Sequence, residues 1–172
     1  MAKVIAGIIS PDEELVLLNV GRRNLTLTYG DVTFIFRMVE GFYPNYRAVI
    51  PTMNDKELIV ATKDLQGAIK RTSVFSNKSG LITFDIVQDS LVVGGKDLDF
   101  KLSAQEKINA ECGTTLFIGF QNDLMLQCLS AVNNDQTRIT MKEANTACLV
   151  SPIHQDDQTT LTILIMPMMI NA

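Results

Sequence analysis

Two prolines, Pro44 and Pro51, flank a short segment that reads YPNYRAVIP from residue 43 to residue 51. Because proline lacks a backbone N–H and has a fixed φ, this segment excludes both a central strand and the interior of a helix. The aromatic and branched residues between the prolines are not those of a solvated linker. The segment therefore predicts an ordered, packed crossing between two modules, and a buried interdomain strap is the simplest form of it. We call residues 41–55 the strap.

On either side of the strap, the apolar residues recur with the spacings of helices and strands. Before the strap, they predict a helix at about 2–9 and strands at 15–20, 25–29 and 32–39. After it, the predicted elements are, in order, a strand at 57–61, a helix at 62–75, strands at 81–87, 90–93 and 96–110, a strand at 115–120, a helix at 122–132, and strands at 138–141, 147–150 and 159–166. In this assignment Gly94 and Gly95 form a hairpin turn.

The predicted elements repeat about every 60 residues, with each helix followed by three strands. Two complete copies of a strand–helix–three-strand unit follow the strap, and a copy without its first strand precedes it. Such a copy cannot bury its sheet face alone, so the first 50 residues are expected to be half of a domain. The predicted fold class is α+β with antiparallel sheets, comprising one complete domain and half of the preceding one.

The composition excludes several classes of protein. A net charge of −4 argues against coating nucleic acid through bulk charge, but not against a local basic face. No apolar run approaches the length that spans a bilayer, and the N-terminus lacks the apolar core of a secretion signal. Cys112, Cys128 and Cys148 are widely spaced in apolar sequence, which predicts small core residues in a reducing compartment. A cytoplasmic protein is expected.

Catalytic and metal-binding patterns are not found in the sequence. His154 is the only histidine, and a surface turn beside residues 156–157 is predicted for it instead of a catalytic pair. The run 94–96 lacks the preceding glycine and the following Ser or Thr of a phosphate-binding loop. Asp97 and Asp99 are predicted to point outward from a strand, without a metal-ligand cluster. We therefore expect a protein that is not an enzyme and that has no cofactor and no metal.

The paired units and the strap sequence together resemble the bacterial DNA polymerase III beta subunit, the sliding clamp. Residues 71–78, RTSVFSNK, resemble the end of the first helix of the clamp's third domain. Residues 118–121, IGFQ, resemble the strand that enters its second helix, with Gln121 where the family usually has Asn. Residues 164–170, LIMPMMI, resemble the family's terminal Val-Met-Pro-Met-Arg-Leu. The run KDLDF at 96–100 and the Met-Ile-Asn ending look most like clamps of the Bacteroidetes type.

The resemblance covers essentially the whole chain and implies a DNA clamp fold. It implies that residues 1–40 are the C-terminal half of clamp domain 2, 41–55 the interdomain strap and 56–172 clamp domain 3. In this family, two three-domain subunits close head to tail around duplex DNA. Ring closure by this chain alone is not expected, because the partner domain is absent. The implied function is that of a non-catalytic processivity factor of the replicative polymerase. The alternative is a stand-alone clamp-fold module that binds clamp partners without encircling DNA.

The resemblance also implies an apolar groove for short peptides of the replicative polymerase and the clamp loader. Independently, an exposed apolar stripe costs solubility unless something covers it, and methionines can repack around different ligands. Ala48 and Met169 stand where the best-known clamps have Arg, which implies weaker polar clamping of the peptide. The implied groove residues are Pro44, Ala48, Val49, Asn145, Leu164, Met166, Pro167, Met168 and Ile170.

Two further surfaces follow from the resemblance. Val74 and Phe75 are implied to meet the first domain of the other subunit, in the homodimer that forms the complete clamp. Lys63, Lys70 and Arg71 are implied to face duplex DNA and to hold phosphates loosely, with weak binding by this chain alone. From the residues alone, three basic residues on one helix are more typical of a solvated face.

The first 50 residues carry an expectation of their own. They would expose a sheet edge and a sheet face that the missing half of the same domain would otherwise cover. We expect them either to pair with a second copy, in a dimer that is not the clamp's own, or to remain partly mobile.

Overall fold

A computed structural model of the chain describes residue 7 and residues 15–97, 99–155 and 158–170. The chain divides into two compact units, Met1–Asn45 and Tyr46–Ala172. Apart from residue 7, the predicted helix at residues 2–9 lies outside the described residues. The division falls within the strap, and the assignment of 1–40, 41–55 and 56–172 to clamp domains stays a prediction.

The first unit contains a three-stranded antiparallel sheet in the order β1-β2-β3. Its strands are β1 (Leu17–Val20), β2 (Asn24–Tyr29) and β3 (Val32–Arg37). The β2–β3 hairpin turns through Gly30 and Asp31, and Gly30 has a φ of +53°, which a two-residue hairpin turn requires. The three strands predicted before the strap are confirmed, each within three residues of its predicted ends.

The second unit contains an eight-stranded antiparallel sheet and two helices. The strand order is β11-β10-β9-β4-β7-β6-β5-β8. The elements are β4 (Lys56–Ala61), α1 (Thr62–Ser73), β5 (Leu81–Val87), β6 (Ser90–Asp97), β7 (Leu102–Cys112), β8 (Leu116–Gln121), α2 (Asn122–Ala131), β9 (Gln136–Met141), β10 (Cys148–Pro152) and β11 (Ile163–Ile165). The predicted repeat is confirmed, because each helix follows one strand and precedes three.

Strands of one copy of the repeat pair with strands of the other, and the two copies have a common hydrophobic core. The first strand of each copy pairs with the other copy, β4 with β9 and β8 with β5. Phe84 on β5 contacts Phe120 on β8 edge to face, with ring centroids 5.2 Å apart, and both side chains are fully buried. Neither copy could bury these side chains without the other, so the two copies form one folding unit.

Both helices bury apolar residues on one side, and α2 also has a side-chain cap at its N-terminus. In α1 the buried positions are Leu65, Ala68, Ile69 and Thr72, which recur at helical spacing. The N-cap of α2 is Gln121, whose side-chain Oε1 accepts a hydrogen bond from Leu124 N at 2.7 Å. The helices have 12 and 10 residues, and neither of these described helices is long and apolar enough to cross a membrane.

The predicted hairpin turn at Gly94 and Gly95 is wrong, because β6 continues through both glycines to Asp97. Gly95 is needed because α1 lies directly against the strand. A Cβ atom at Gly95 would lie 2.1 Å from the carbonyl oxygen of Thr72. The glycines therefore mark a close approach of helix and strand and not a turn.

The chain instead reverses direction just after Asp97. The carboxylate Oδ1 of Asp97 accepts hydrogen bonds from the backbone N–H groups of Asp99 at 2.9 Å and Phe100 at 3.1 Å. Lys101 then adopts a φ of +54°, and β7 begins at Leu102. The prediction that Asp97 and Asp99 alternate along a strand is therefore wrong, since Asp97 caps a turn in which Asp99 lies.

The prediction of a buried strap is also wrong. Phe42 and Tyr43 are almost fully exposed, at 104% and 84%. Within the second unit, the strap forms one 3-10 turn, Tyr46–Val49, with no buried residue. Pro44 and Pro51 keep the segment out of helix and sheet as predicted, but this does not determine what its side chains contact.

Candidate peptide-binding surface

The C-terminal segment contains one edge strand of the eight-stranded sheet and contacts the other. We call residues 163–170 the tail. Its first part is β11, in which Leu164 is paired with Leu149 and Ile165 with Cys148 on β10. Beyond β11, the backbone N–H of Met168 donates to the carbonyl oxygen of Gly119 on β8 at 2.8 Å. The tail thus runs from one edge strand, β11, to the opposite edge strand, β8.

Gly119 provides the space that the tail occupies. A Cβ atom at this position would lie 2.8 Å from Leu81 Cδ1, 2.9 Å from Ile170 Cγ1 and 3.0 Å from the carbonyl oxygen of Met168. All three distances are shorter than ordinary van der Waals contacts, so only glycine fits without displacing a neighbour. Because Gly119 has no side chain, Ile170 has room to pack against β8 at this position.

The tail alternates between packed and solvent-facing side chains. Ile165 is buried, whereas Met166 and Met169 are 57% and 84% exposed. Leu164, Pro167, Met168 and Ile170 are half-buried. Exposed thioether side chains next to half-buried apolar ones form an adaptable apolar surface, which suits the binding of apolar segments.

A groove with a volume of about 740 Å³ lies along this tail. One of its sides is formed by Met168, Met169 and Ile170. The rest is formed by Asn77, Ser79 and residues of β5 to β8, among which Leu81 and Phe117 are apolar. Asp85 and Lys96 add one charge of each sign to the lining. The groove can therefore hold an apolar segment and pair polar groups beside it.

Two of the predicted groove residues, Met168 and Ile170, line this groove. The other predicted groove residues of the second unit are not among its lining residues; these are Ala48, Val49, Asn145, Leu164, Met166 and Pro167. Pro44 belongs to the first unit and is exposed. The assignment of these nine residues to one peptide site stays a prediction.

The end of the strap is fixed at the β9–β10 hairpin. Asn54 Nδ2 donates to the carbonyl oxygens of Thr140 at 3.0 Å and Ala147 at 3.1 Å. Ala147 directly precedes Cys148, which is paired with Ile165 of the tail. The strap end and the tail are therefore attached to the same end of β10.

The remaining predicted residues of this region lie close by in sequence. Ala48 and Val49 are exposed in the 3-10 turn before Asn54, and Val49 is 64% exposed. Asn145 is exposed in the connection between β9 and β10. All three side chains are exposed to solvent, and Asn145 lies at this end of the hairpin.

Sequence reasoning missed four residues that shape this surface: Asn54, Leu81, Phe117 and Gly119. Of these, only Gly119 had a usable signal, because a lone glycine inside a strand pattern indicates close approach of another backbone. The roles of Asn54, Leu81 and Phe117 depend on which strands are adjacent, and local sequence does not specify that.

The buried cysteines are poor ligands and nucleophiles. Burial raises the pKa of Cys148 to about 12, and burial also raises the pKa of Cys128. Both thiols are thus protonated near neutral pH. Cys112, Cys128 and Cys148 are all free and buried, as predicted.

The predicted DNA-facing residues differ in their surroundings. Lys63 and Lys70 are exposed on α1 and make no ion pair with any described residue. Arg71 instead donates two hydrogen bonds to Glu106 on β7, from Nε at 2.8 Å and from Nη2 at 2.6 Å. The hydrogen bond from Arg71 lowers the pKa of Glu106, and the same contact raises the pKa of Arg71. The charge of Arg71 is thus already paired within the chain.

The predicted subunit-interface residues follow the end of α1. Val74 is 77% exposed and Phe75 is 37% exposed. The backbone N–H of Phe75 donates to Thr72 O at 3.0 Å and extends the last turn of the helix. Two apolar side chains are thus presented to solvent at a helix end.

A second cavity, of about 600 Å³, lies beside the start of α1 and the end of α2. His154, Lys63 and Ser130 are among its lining residues. The Ser130 hydroxyl donates to Leu126 O at 2.7 Å and is thereby engaged within its own helix. His154 is exposed in a bend after β10, as predicted, and residues 156–157 lie outside the described residues. Among the described residues, no group of three or more His, Cys, Asp or Glu side chains could hold a metal ion.

The model of one protein family, "DNA polymerase III beta subunit, C-terminal domain", matches residues 47–169. The chain belongs to this family. The matched residues contain the eight-stranded sheet and both helices, and the resemblance inferred from the strap and the tail is confirmed. The likeness to the Bacteroidetes type stays a prediction.

Named relatives are beta sliding clamps. The clamp of Pseudomonas putida is 26% identical over 166 residues, which cover 95% of this chain and 44% of the relative. The clamp of Vibrio cholerae is 27% identical over 158 residues, covering 88% and 42%. The chain therefore spans less than half the length of these beta subunits.

Solved structures show the same fold. The sliding clamp of Pseudomonas aeruginosa superposes with a TM-score of 0.86 at 26% identity, covering 96% of this chain and 45% of that chain. The sliding clamp of Bartonella birtlesii, solved with griselimycin bound, superposes with a TM-score of 0.87 at 24% identity, covering 98% and 44%. The described elements thus have the fold of part of a clamp subunit.

Proposed function

We propose that this chain acts as part of a DNA sliding clamp, the non-catalytic processivity factor of the replicative DNA polymerase in the bacterial cytoplasm. Its own task is to bind short apolar peptides of the polymerase and the clamp loader at the tail. The observation that carries this proposal is the tail itself, where exposed Met166 and Met169 adjoin a groove of about 740 Å³. An apolar surface of this kind is stabilised when a partner covers it.

The chemistry of the tail favours several partners over one. Methionine side chains have three rotatable bonds and can repack around ligands of different shape. Burial of apolar surface contributes about 25 cal/mol per Å², so a few aliphatic or aromatic peptide side chains supply useful affinity. Ala48 and Met169 add no charge to the site, so we expect apolar contact to dominate recognition.

Two other surfaces of the chain have a role in the proposed clamp. Val74 and Phe75 would contact another subunit in the complete homodimeric ring. Lys63 and Lys70 would contact duplex DNA phosphates without reading bases. Because Arg71 is paired with Glu106, two of the three predicted DNA-facing cations have no ion pair among the described residues. The expected slope of log K against log salt is therefore about −1.8.

The test is a titration of a labelled peptide, taken from the clamp-binding segment of a replicative polymerase, against the chain. Met168→Asp places a charge beside the groove, and we expect the dissociation constant to rise about tenfold or more. Met38→Asp, at an exposed methionine of the first unit, is the control and should bind as the unchanged chain does. Equal binding by Met168→Asp, or no binding by the unchanged chain, would overturn the proposed peptide site.

A second candidate is a clamp-fold module that binds the same peptides without encircling DNA. The observation that favours it is the Arg71–Glu106 pair, which removes one of three predicted DNA contacts. Retention on nicked circular DNA after incubation with a clamp loader separates the two candidates when the chain is tested as the C-terminal part of a complete beta subunit, because ring closure by this chain alone is not expected. Retention that is lost when the circle is linearised would establish encirclement and exclude the second candidate.

A further inference from the structure

A row of small side chains runs across the sheet beneath the groove beside the tail. Cross-strand register pairs Thr83 on β5 with Gly119 on β8 and with Gly94 on β6. Gly94 is in turn paired with Gln105 on β7. Since Gly95 faces α1, Gly94 and the residues in register with it lie on the other face of the sheet. Two glycines in one row leave a channel across that face, from Gly119 to Gln105, and we call it the glycine channel.

The tail closes the β8 end of the glycine channel. A Cβ atom at Gly119 would lie 2.9 Å from Ile170 Cγ1 and 3.0 Å from Met168 O, so the tail covers this position. On each strand, the side chains two positions before and after the channel point to the same face and form its walls. The groove residues of one wall are Phe117, Asp85 and Val92, and those of the other are Leu81, Lys96 and Ser103.

The two ends of the glycine channel differ in chemistry. At the tail end, Leu81 and Phe117 are apolar, and Phe117 is 51% exposed. Toward β6 and β7, the side chains of Lys96, Ser103 and Gln105 are polar and exposed. The groove therefore fits a segment that is apolar at one end and polar at the other.

The charges of the groove favour one sign at the polar end. Among the described residues that line the groove, Asp85 and Lys96 are the charged ones, and they lie on opposite walls. Both side chains are exposed, and neither is ion-paired with another described residue. Register places Asp85 beside Phe117, so the negative charge lies at the apolar end. A ligand carboxylate is therefore attracted to Lys96 and repelled from the apolar end.

The spacing of the strands determines the spacing within the ligand. Adjacent strands are about 4.8 Å apart, so a point midway between β8 and β5 is about 7 Å from β6. In an extended peptide, side chains two positions apart point to the same side and are also about 7 Å apart. A peptide side chain between Phe117 and Leu81 thus places the side chain two positions away near Lys96.

We infer that the groove binds an extended peptide segment in which an apolar residue contacts Phe117 and Leu81 and an acidic residue two positions away pairs with Lys96. The inference rests on the proposed function, because it assigns the chemistry of the peptide that this groove binds. Lys96 then determines the orientation of the peptide, and Asp85 opposes the reverse orientation.

The experiment titrates labelled synthetic peptides against the chain at constant ionic strength. Each peptide has blocked termini and contains Phe-Ser followed by Glu, Gln or Lys, and a second set contains the three residues in reverse order. In one of the two orders, the Glu peptide should bind about threefold more tightly than the Gln peptide, as for an exposed ion pair. The Lys peptide of that order should bind more weakly than either.

Three variants of the chain test the assignment. Lys96→Glu should reverse the preference, so that the Lys peptide binds more tightly than the Glu peptide. Lys107→Glu is the matched control, because Lys107 is exposed on the same face of β7 but is not a groove residue, and it should keep the original preference. Gly94→Ala places a methyl group in the channel and should weaken all three peptides alike. Circular dichroism establishes that each variant folds.

The outcomes separate the inference from the proposed function. Equal binding of the Glu and Gln peptides, or an unchanged preference in Lys96→Glu, would overturn the inference. So would binding of the polymerase peptide without binding of any synthetic peptide, and in each of these cases the proposed function stands if Met168→Asp weakens the polymerase peptide. Failure of the chain to bind the polymerase peptide and all synthetic peptides would overturn both.

Discussion

The backbone N–H of Met168 lies 2.8 Å from the carbonyl oxygen of Gly119, and this hydrogen bond ties the tail to β8. The bond links the C-terminal end of the chain to the edge strand farthest from β11 in the sheet order. The proposed peptide surface therefore depends on long-range pairing, since the residues that form it come from β5 to β8 as well as from the tail. A substitution on β8 is therefore expected to alter peptide binding through this hydrogen bond.

Gly119→Ala should displace the tail. The added methyl group would lie within 3.0 Å of Leu81, Met168 and Ile170, so part of the tail must move. We expect a loss of about 1–3 kcal/mol in the free energy of unfolding, as for other overpacked sites, together with weaker peptide binding. Chemical denaturation and the peptide titration measure the two effects. Gly113→Ala is the control, since a Cβ at Gly113 has no neighbour within 4 Å; similar losses in both variants would contradict the role of Gly119.

Gly95→Ala should destabilise the fold more than Gly94→Ala does. At Gly95 the new Cβ would lie 2.1 Å from the backbone oxygen of Thr72, and α1 can give way only by moving off the sheet. At Gly94 the nearest atom is the Thr83 side-chain oxygen, at 2.6 Å, which can rotate away. We expect the Gly95 variant to lose about 3 kcal/mol or more and the Gly94 variant clearly less, measured by urea denaturation. The reverse order would show that α1 is not held against Gly95.

Asn54→Ala should loosen the strap end. The change removes two hydrogen bonds to the carbonyls of Thr140 and Ala147, for an expected loss of about 1–3 kcal/mol in the free energy of unfolding. Amide exchange should accelerate in the segment just before β4, and peptide binding should weaken if the strap contributes to the site. Asn145→Ala, at an exposed asparagine of the β9–β10 connection, serves as the comparison for unfolding and amide exchange. Unchanged exchange near residue 54 would refute this anchoring role.

The Arg71–Glu106 pair should make stability depend on pH in the acidic range. The pKa of Glu106 is lowered from 4.5 in the folded chain, because Arg71 stabilises the carboxylate. The stabilisation is thus present above the unfolded pKa and is lost as pH falls through the lower, folded pKa. NMR titration of the Glu106 carboxyl carbon should show a low midpoint that rises toward 4.5 in Arg71→Met. Lys70→Met, at a neighbouring cation that does not contact Glu106, should leave the midpoint unchanged, and an identical shift in both variants would argue against the pair.

Much of the local structure was predictable because hydrophobic periodicity is a local property. The strand at 81–87 has the same bounds in the structure as in the prediction, and Leu65, Ala68 and Ile69 are buried on α1 as their spacing requires. The order of elements also revealed the repeat, and the strap and tail motifs led to the family. These features depend on residues a few positions apart, whose arrangement the backbone itself determines.

The sequence by itself determined the period of the elements, the two-copy architecture and the family. Only the tertiary structure decided that Gly95 faces α1, that Gly119 admits the tail, that Arg71 is paired with Glu106 and that Phe42 is exposed. Each of these outcomes depends on which segments, distant in sequence, become neighbours when the chain folds. Such contacts are selected by the packing of the whole core, and a glycine or an arginine has the same local pattern whatever it will meet.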